Sequence, residues 1–182
     1  MRTAFRRCAF ICPKFSHTLH RVMIMSKYNW KTYAFWVALS EVIGLLSGLL
    51  TRSATTRFSE IVRQPPLSPP AIVFPIVWTI LYALMGIGAA RIRITPPSAQ
   101  RSWGINLFIA QLIVNFFWSP IFFNAQAYGF AFLWLLLLWA LVLWMILTWR
   151  KIDPLAAKLQ IPYLIWLTFA AYLNFGVWLL NR

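Results

Sequence analysis

Residues 65–86 read PPLSPPAIVFPIVWTILYALMG, a proline-stiffened lead running into an apolar stretch that carries a polar-aromatic face. No charge occurs from residue 71 to residue 90, and at about 1.5 Å per helical residue those positions cover roughly 30 Å, the thickness of a bilayer's hydrocarbon core. The stretch therefore predicts a membrane span. At about 100° per residue, Pro75, Trp78, Tyr82 and Met85 fall within one quadrant, so the side chains able to grip a flat molecule share one face. Pro75 lies in the first turn or so, where a missing N–H is tolerated or kinks the helix slightly.

The rest of the chain has the same character. It is 61% hydrophobic and 11% charged, whereas charge in soluble domains approaches about a quarter of residues. An integral, multi-pass membrane protein is expected. A formal charge of +14 would suit nucleic acid, but the Lys and Arg residues lie in the first thirty-one positions, between apolar runs or at the C-terminus. Membrane lipid and topology selection account for them there, so no nucleic-acid partner is expected. Residues 1–31 form a basic extension without acidic residues, similar to a targeting presequence, and Met23 and Met25 are alternative starts that would leave it outside the mature fold. Cys8, Cys12, His17 and His20 fall in this extension. Their C-x3-C-x4-H-x2-H order does not match the longer zinc-finger spacings, so no metal site is expected.

Five spans, at about residues 32–50, 71–90, 103–124, 128–149 and 159–181, predict an all-α, five-transmembrane-helix bundle over residues 32–182. The first carries Ser40, Gly44 and Gly48 at the spacing that lets helices approach closely. Its Glu41 lies mid-span, where a carboxylate should face protein or water, be neutralised, or pair. Residues 51–70 read as a lid, with a short helix of its own around 56–63 and with Phe58, Pro65 and Pro66 over the bundle. The third span sets Gln111, Asn115 and Ser119 at four-residue intervals beside Trp118, a polar stripe for interhelical contacts or a pocket, and Pro120 should kink it. In the fourth, Trp134, Trp139, Trp144 and Trp149 are five apart and rotate around the helix. That span is expected to be outermost, with Trp149 and Arg150 at an interface. The fifth places Tyr163, Trp166, Ala170, Asn174 and Val177 within about 80°, a face expected to meet that of the second span.

Three segments, QPPLSPPAIVFPIVWTILYALMG (residues 64–86), NFFWSPIFF (115–123) and PYLIWLTFAAYLNFGVW (162–178), together resemble the TspO/MBR family of tryptophan-rich sensory proteins and translocator proteins. The resemblance covers about residues 33–181. It implies a five-helix bundle, usually a homodimer, with a pocket under the loop between spans one and two that takes porphyrins, sterols and aromatic drug-like molecules. Carried onto the matching motifs, the implied ligand-binding positions are Trp78, Tyr82, Asn115, Ser119, Trp166 and Ala170; the faces read from the residues add Trp118 and Asn174. Two departures stand out. The family commonly has Trp-Tyr where this chain has Phe58-Ser59, and Trp at Ile72; the lid tryptophan is tied to light-dependent porphyrin breakdown.

The favoured function is a membrane sensory or binding protein for tetrapyrroles, porphyrin and haem among them, and for other flat hydrophobic ligands held by stacking and burial. With no histidine after His20, haem ligation by His from the membrane body is excluded; porphyrin is the expected ligand and no cofactor is required. Two alternatives stay open. One is a light-dependent porphyrin-degrading enzyme with Trp166 as electron donor; the other is a transporter or regulator of lipophilic molecules. Glu41, Glu60 and Asp153 are the only acidic residues, so no acid–base pair supports ordinary catalysis and no catalytic residue is assigned. Seven Lys and Arg precede the first span and three lie in each of loops two and four, thirteen on the N-terminal side against four on the other. This bias predicts a cytoplasmic N-terminus, in a bacterial cell membrane, with the lid loop and C-terminus outside.

Overall fold

The computed structural model describes residues 12–182, with side chains from Asn29 onward; the Cys8, Cys12, His17 and His20 pattern lies outside the described side chains. The order is α1 (Cys12–Ile61), α2 (Val73–Ile94), α3 (Ala99–Ser119), a π-helical turn (Pro120–Asn124), α4 (Tyr128–Arg150), α5 (Pro154–Lys158) and α6 (Ile161–Leu180). Among the described residues there are five helical segments long and apolar enough to cross a membrane, and no strand. The protein is an integral, multi-pass all-α bundle.

Local chemistry sets the helix ends. α2 stops at Thr95, ahead of Pro96 and Pro97, and the Thr95 hydroxyl donates to the Ile92 carbonyl at 2.7 Å. Ser98 caps α3 by accepting from Arg101 N–H at 3.1 Å. At Pro120 the ladder widens: Ala125 N–H reaches back to the Pro120 carbonyl at 3.0 Å, so the proline produces a π turn where a kink is expected. Asp153 caps α5, accepting from Leu155 and Ala156 N–H, and its other oxygen pairs with Arg91 at 2.8 Å, tying the end of α2 to the loop after α4.

Two expectations are corrected. The first helix does not end near Leu50 with a separate helix around 56–63; it continues unbroken to Ile61. No Gly or Pro interrupts residues 49–64, and the hydroxyls of Thr51, Thr55, Thr56 and Ser59 bond back to carbonyls one turn earlier, which satisfies them inside the helix. Nor is α4 the outermost helix. Ala131, Leu135, Leu138, Val142, Met145 and Trp149 form a buried seam along it. Trp149 is fully buried, stacks on Phe108 and donates to the Gly104 carbonyl at 3.0 Å, so it does not lie at an interface.

The helices form a ring: α1 packs on α2 and α3, α3 on α4, and α4 on α6. The α1–α2 seam is closest. A β-carbon on Gly86 would strike the backbone of Trp36 and Val37, and one on Gly44 would strike the Tyr82 ring, so these two glycines are used within the chain, whereas one on Gly48 would meet no atom within 4 Å. Ser47 donates to the Phe116 carbonyl at 3.0 Å, and Trp134 to the Val114 carbonyl at 2.8 Å. The ring closes between α6 and α2, where Phe74 meets Trp166 and Trp78 meets Tyr163 edge to face, at 5.9 and 6.1 Å between centroids.

Candidate functional site

The polar stripe of α3 points into the bundle, where α2 and α6 complete its hydrogen bonds. Tyr82 OH donates to Asn115 Oδ1 at 2.7 Å, Asn115 Nδ2 donates to Tyr163 Oη at 2.6 Å, and Tyr163 OH donates to Gln111 Oε1 at 3.2 Å. Gln111 Nε2 in turn lies 3.7 Å from the Met85 sulfur. These buried side chains form one chain of donors and acceptors across three helices. Each link spares a polar group from facing hydrocarbon alone, which fixes the relative rotation of α2, α3 and α6.

Beside this network lies an internal cavity lined by Trp78, Asn115, Trp118, Leu135, Leu138, Leu167 and Ala170. Its volume is about 10 Å³, no more than about one water-sized sphere needs. Four of the sequence-predicted positions, Trp78, Asn115, Trp118 and Ala170, thus share one wall. Trp78 and Tyr82 are 5.5 Å apart, tilted toward each other. Among the described residues the indole N–H of Trp118 is buried without a partner, as is Oδ1 of Asn174, whose Nδ2 donates to the Tyr128 carbonyl at 3.1 Å. Of the two, only Trp118 lines the cavity, which therefore holds one spare donor; Asn174, also expected at the ligand site, is not part of its lining.

Trp166 is elsewhere. It lines a second, lipid-facing groove with Val77, Ile80, Leu81, Pro162, Ile165 and Phe169, of about 480 Å³ and with almost wholly apolar walls. Leu81 and Trp78, three residues apart on α2, separate the groove from the inner cavity. Ser119 ends α3 and makes no side-chain capping bond. Glu41 is half-buried on α1 and makes no ion pair among the described residues.

The lid is an extension of α1 followed by residues 62–72. Phe58 packs on Phe122 and Phe123 at 5.3 and 5.2 Å and reaches Tyr128 at 6.4 Å, which anchors the lid over the π turn and the start of α4. Pro65 is buried on α6 against Gly176, where a β-carbon would come within 2.6 Å of the proline ring. The Pro66 carbonyl accepts from Tyr172 OH at 2.9 Å. Asn181 holds Arg63 by both backbone groups, accepting from N–H at 3.0 Å and donating to the carbonyl at 2.8 Å.

Tyr172, Gly176 and Asn181 are the lid contacts that sequence reasoning does not single out. The one local signal is Gly176, a glycine inside an otherwise bulky helix, which often marks a close backbone approach. Tyr163 and Gln111 are visible as members of inward faces, but their mutual bonding is not. Among the described residues no three His, Cys, Asp or Glu side chains converge, and the site is built from aromatic, amide and aliphatic groups suited to burying a ligand.

A model of the TspO/MBR family matches residues 36–179. The chain is 35% identical over 141 residues to the translocator protein of Ovis aries, spanning 76% of this chain and 83% of that one. It is 32% identical over 151 residues to the tryptophan-rich protein TspO of Chlorobaculum tepidum, spanning 82% and 96% respectively. To protein CrtK of Rhodobacter capsulatus it is 36% identical over 120 residues, spanning 65% and 75%.

Proposed function

Because the chain belongs to the TspO/MBR family, we propose that this membrane sensory or binding protein takes tetrapyrroles and other flat hydrophobic ligands between α2 and α6. The observation that carries the reading is the apolar groove of about 480 Å³ between these helices, a volume within the range of about 300–1,000 Å³ usual for small-molecule sites. Its opening faces lipid, the phase in which such molecules dissolve. A flat macrocycle slides in edge-on past Ile80 and Ile165 and stacks against Trp166 and Phe169. Displacement of Leu81 and Trp78 then joins the groove to the inner cavity, where the Trp118 N–H offers a donor to a polar edge. Apolar burial and ring contacts supply the affinity.

The test is a titration of purified protein with protoporphyrin IX, followed by tryptophan fluorescence and repeated on Trp166→Phe and Trp144→Phe. Trp144 is exposed on α4 against Trp103, away from the groove. The expected result is saturable quenching, weakened about five- to tenfold by Trp166→Phe, in line with loss of about 1 kcal/mol of ring contact, and unchanged by Trp144→Phe. Equal losses in both variants, or no saturable binding, would contradict the proposal.

A further inference from the structure

We propose that the end of the bundle opposite the lid is a docking surface for anionic phospholipid, which it selects over zwitterionic lipid. The inference does not depend on what lies between α2 and α6. Arg91, Arg93, Arg101, Arg150, Lys151 and Lys158 surround this end, on α2, α3, α4, α5 and their connections. Two of them are already used: Arg91 pairs with Asp153 at 2.8 Å, and Arg101 donates to the Thr95 carbonyl at 2.8 Å. Arg93, Arg150, Lys151 and Lys158 are exposed, and among the described residues their side chains make neither an ion pair nor a hydrogen bond to the protein. Asp153 is the only carboxylate in these connections, and it is spent: one oxygen meets Arg91 and the other accepts from the Leu155 and Ala156 N–H groups. The fold thus leaves exposed cations here with no protein anion to meet them, and charge complementarity points to the phosphate layer of the membrane.

The tryptophans make the same choice of end. Trp30, Trp103 and Trp144 are the ones that stand exposed, at 60%, 46% and 52%. Trp103 and Trp144 meet edge to face at 5.5 Å across the α3–α4 boundary, in the first turns of α3 and the last turns of α4. Trp36 against Phe108 and Ser47 bonded to Phe116 show that α1 and α3 run parallel, which brings Trp30 level with Trp103. Among the described residues none of these three indole N–H groups bonds to the protein, whereas those of Trp134, Trp139 and Trp149 all do. At the lid end, by contrast, Trp118 and Trp178 are packed into the aromatic cluster around Phe122. Free indoles at one depth, just inside unpaired cations, match the ester carbonyls and the phosphate of a phospholipid. Topology selection asks only for the count of charges and does not account for the indoles beneath them.

The experiment places the full chain in phosphatidylcholine bilayers containing increasing amounts of either bromine-labelled phosphatidylglycerol or bromine-labelled phosphatidylcholine, and follows quenching of tryptophan fluorescence. Because the exposed indoles all lie at the proposed surface, quenching reports on lipid at that end. The expected result is that the phosphatidylglycerol quenches at a mole fraction about fivefold or more below that of the phosphatidylcholine, in line with the contribution of each Lys or Arg near a charged membrane, and that the difference shrinks as salt rises from about 0.1 to 0.5 M. Arg150→Gln with Lys151→Gln should reduce the preference by about five- to tenfold, and Trp103→Phe should remove part of the phosphatidylglycerol-specific quenching. Arg52→Gln with Arg57→Gln, the same change of charge on exposed sites at the lid end, should leave the preference intact. All of these side chains are on the surface, so the variants keep the buried contacts of the bundle. Inorganic phosphate added at constant ionic strength should not displace the lipid. Equal quenching by the two lipids, equal losses in the two double variants, or displacement by inorganic phosphate would overturn the proposal.

Discussion

Asn115 is the residue on which the interior turns. The four-residue rhythm of Gln111 and Asn115 is legible in the sequence as a polar stripe that lipid would not tolerate, but a stripe does not say whether its partners are ligand or protein. The partners are the Tyr82 and Tyr163 hydroxyls, each contributed by an aromatic-faced helix. An argument from one helix at a time sees the donors and acceptors without their pairing. The pairing makes the two tyrosines unequal. Tyr82→Phe leaves one Asn115 acceptor unpaired, whereas Tyr163→Phe strands both an Asn115 donor and a Gln111 acceptor. We expect Tyr163→Phe to destabilise by about 1–3 kcal/mol and Tyr82→Phe by about half as much, although interhelical bonds in membranes often fall at the lower end of such ranges. Reversible unfolding in mixed micelles checks this; an equal or reversed order would contradict the network.

At the scale of the element, α4 shows most clearly what the sequence conceals. From Phe130 to Leu147 it contains only apolar and aromatic residues together with alanine, so hydropathy has no contrast from which to read a buried face. Its inner seam is nonetheless regular: residues 131, 135, 138, 142, 145 and 149 are spaced alternately four and three apart, the spacing of a packed helix seam. The five-residue tryptophan rhythm suggests lipid on all sides, yet the indoles of Trp134, Trp139 and Trp149 donate to α3 and α6. Leu138 is buried and its neighbour Leu137 faces lipid. Leu138→Ala is therefore expected to cost about 2–3 kcal/mol by opening a cavity in the seam, and Leu137→Ala below about 0.5 kcal/mol. Equal costs in the same unfolding assay would mean that α4 is seated differently. The end of α1 was hidden for a related reason: a run of Thr, Ser and Arg resembles a loop, but its hydroxyls are satisfied within the helix.

Across the whole molecule, the span number and the inward faces of α2, α3 and α6 are legible from length, charge and period, because membrane thickness and the cost of bare polar groups constrain them strongly. The ring order is not, since it depends on which apolar surfaces interlock. It separates Trp166 from Trp78, residues that a shared-face argument had put in one pocket, and assigns them to opposite sides of the same α2–α6 boundary. The arrangement also sharpens orientation. Arg91, Arg93, Arg101, Arg150, Lys151 and Lys158 cluster around the α2–α3 and α4–α6 connections, while Arg52, Arg57, Arg63 and Arg182 lie at the lid end. The positive-inside bias then predicts the lid outside. In protein with Cys8→Ser and Cys12→Ser, a membrane-impermeant thiol reagent on intact cells should label Gln64→Cys and spare Gln100→Cys, and the opposite pattern would invert the topology.

The central claim is that a flat ligand lies between α2 and α6, and isoleucine methyls report on it directly. Ile80 and Ile165 line the groove, while Ile109 and Ile113 are comparably exposed on α3, away from it. With protein labelled at the isoleucine δ1 methyls in detergent, addition of manganese(III) protoporphyrin IX should broaden the Ile80 and Ile165 signals at substoichiometric amounts and leave Ile109 and Ile113 unaffected until the site is filled. Uniform broadening of all four, or loss of the α3 methyls first, would contradict the account.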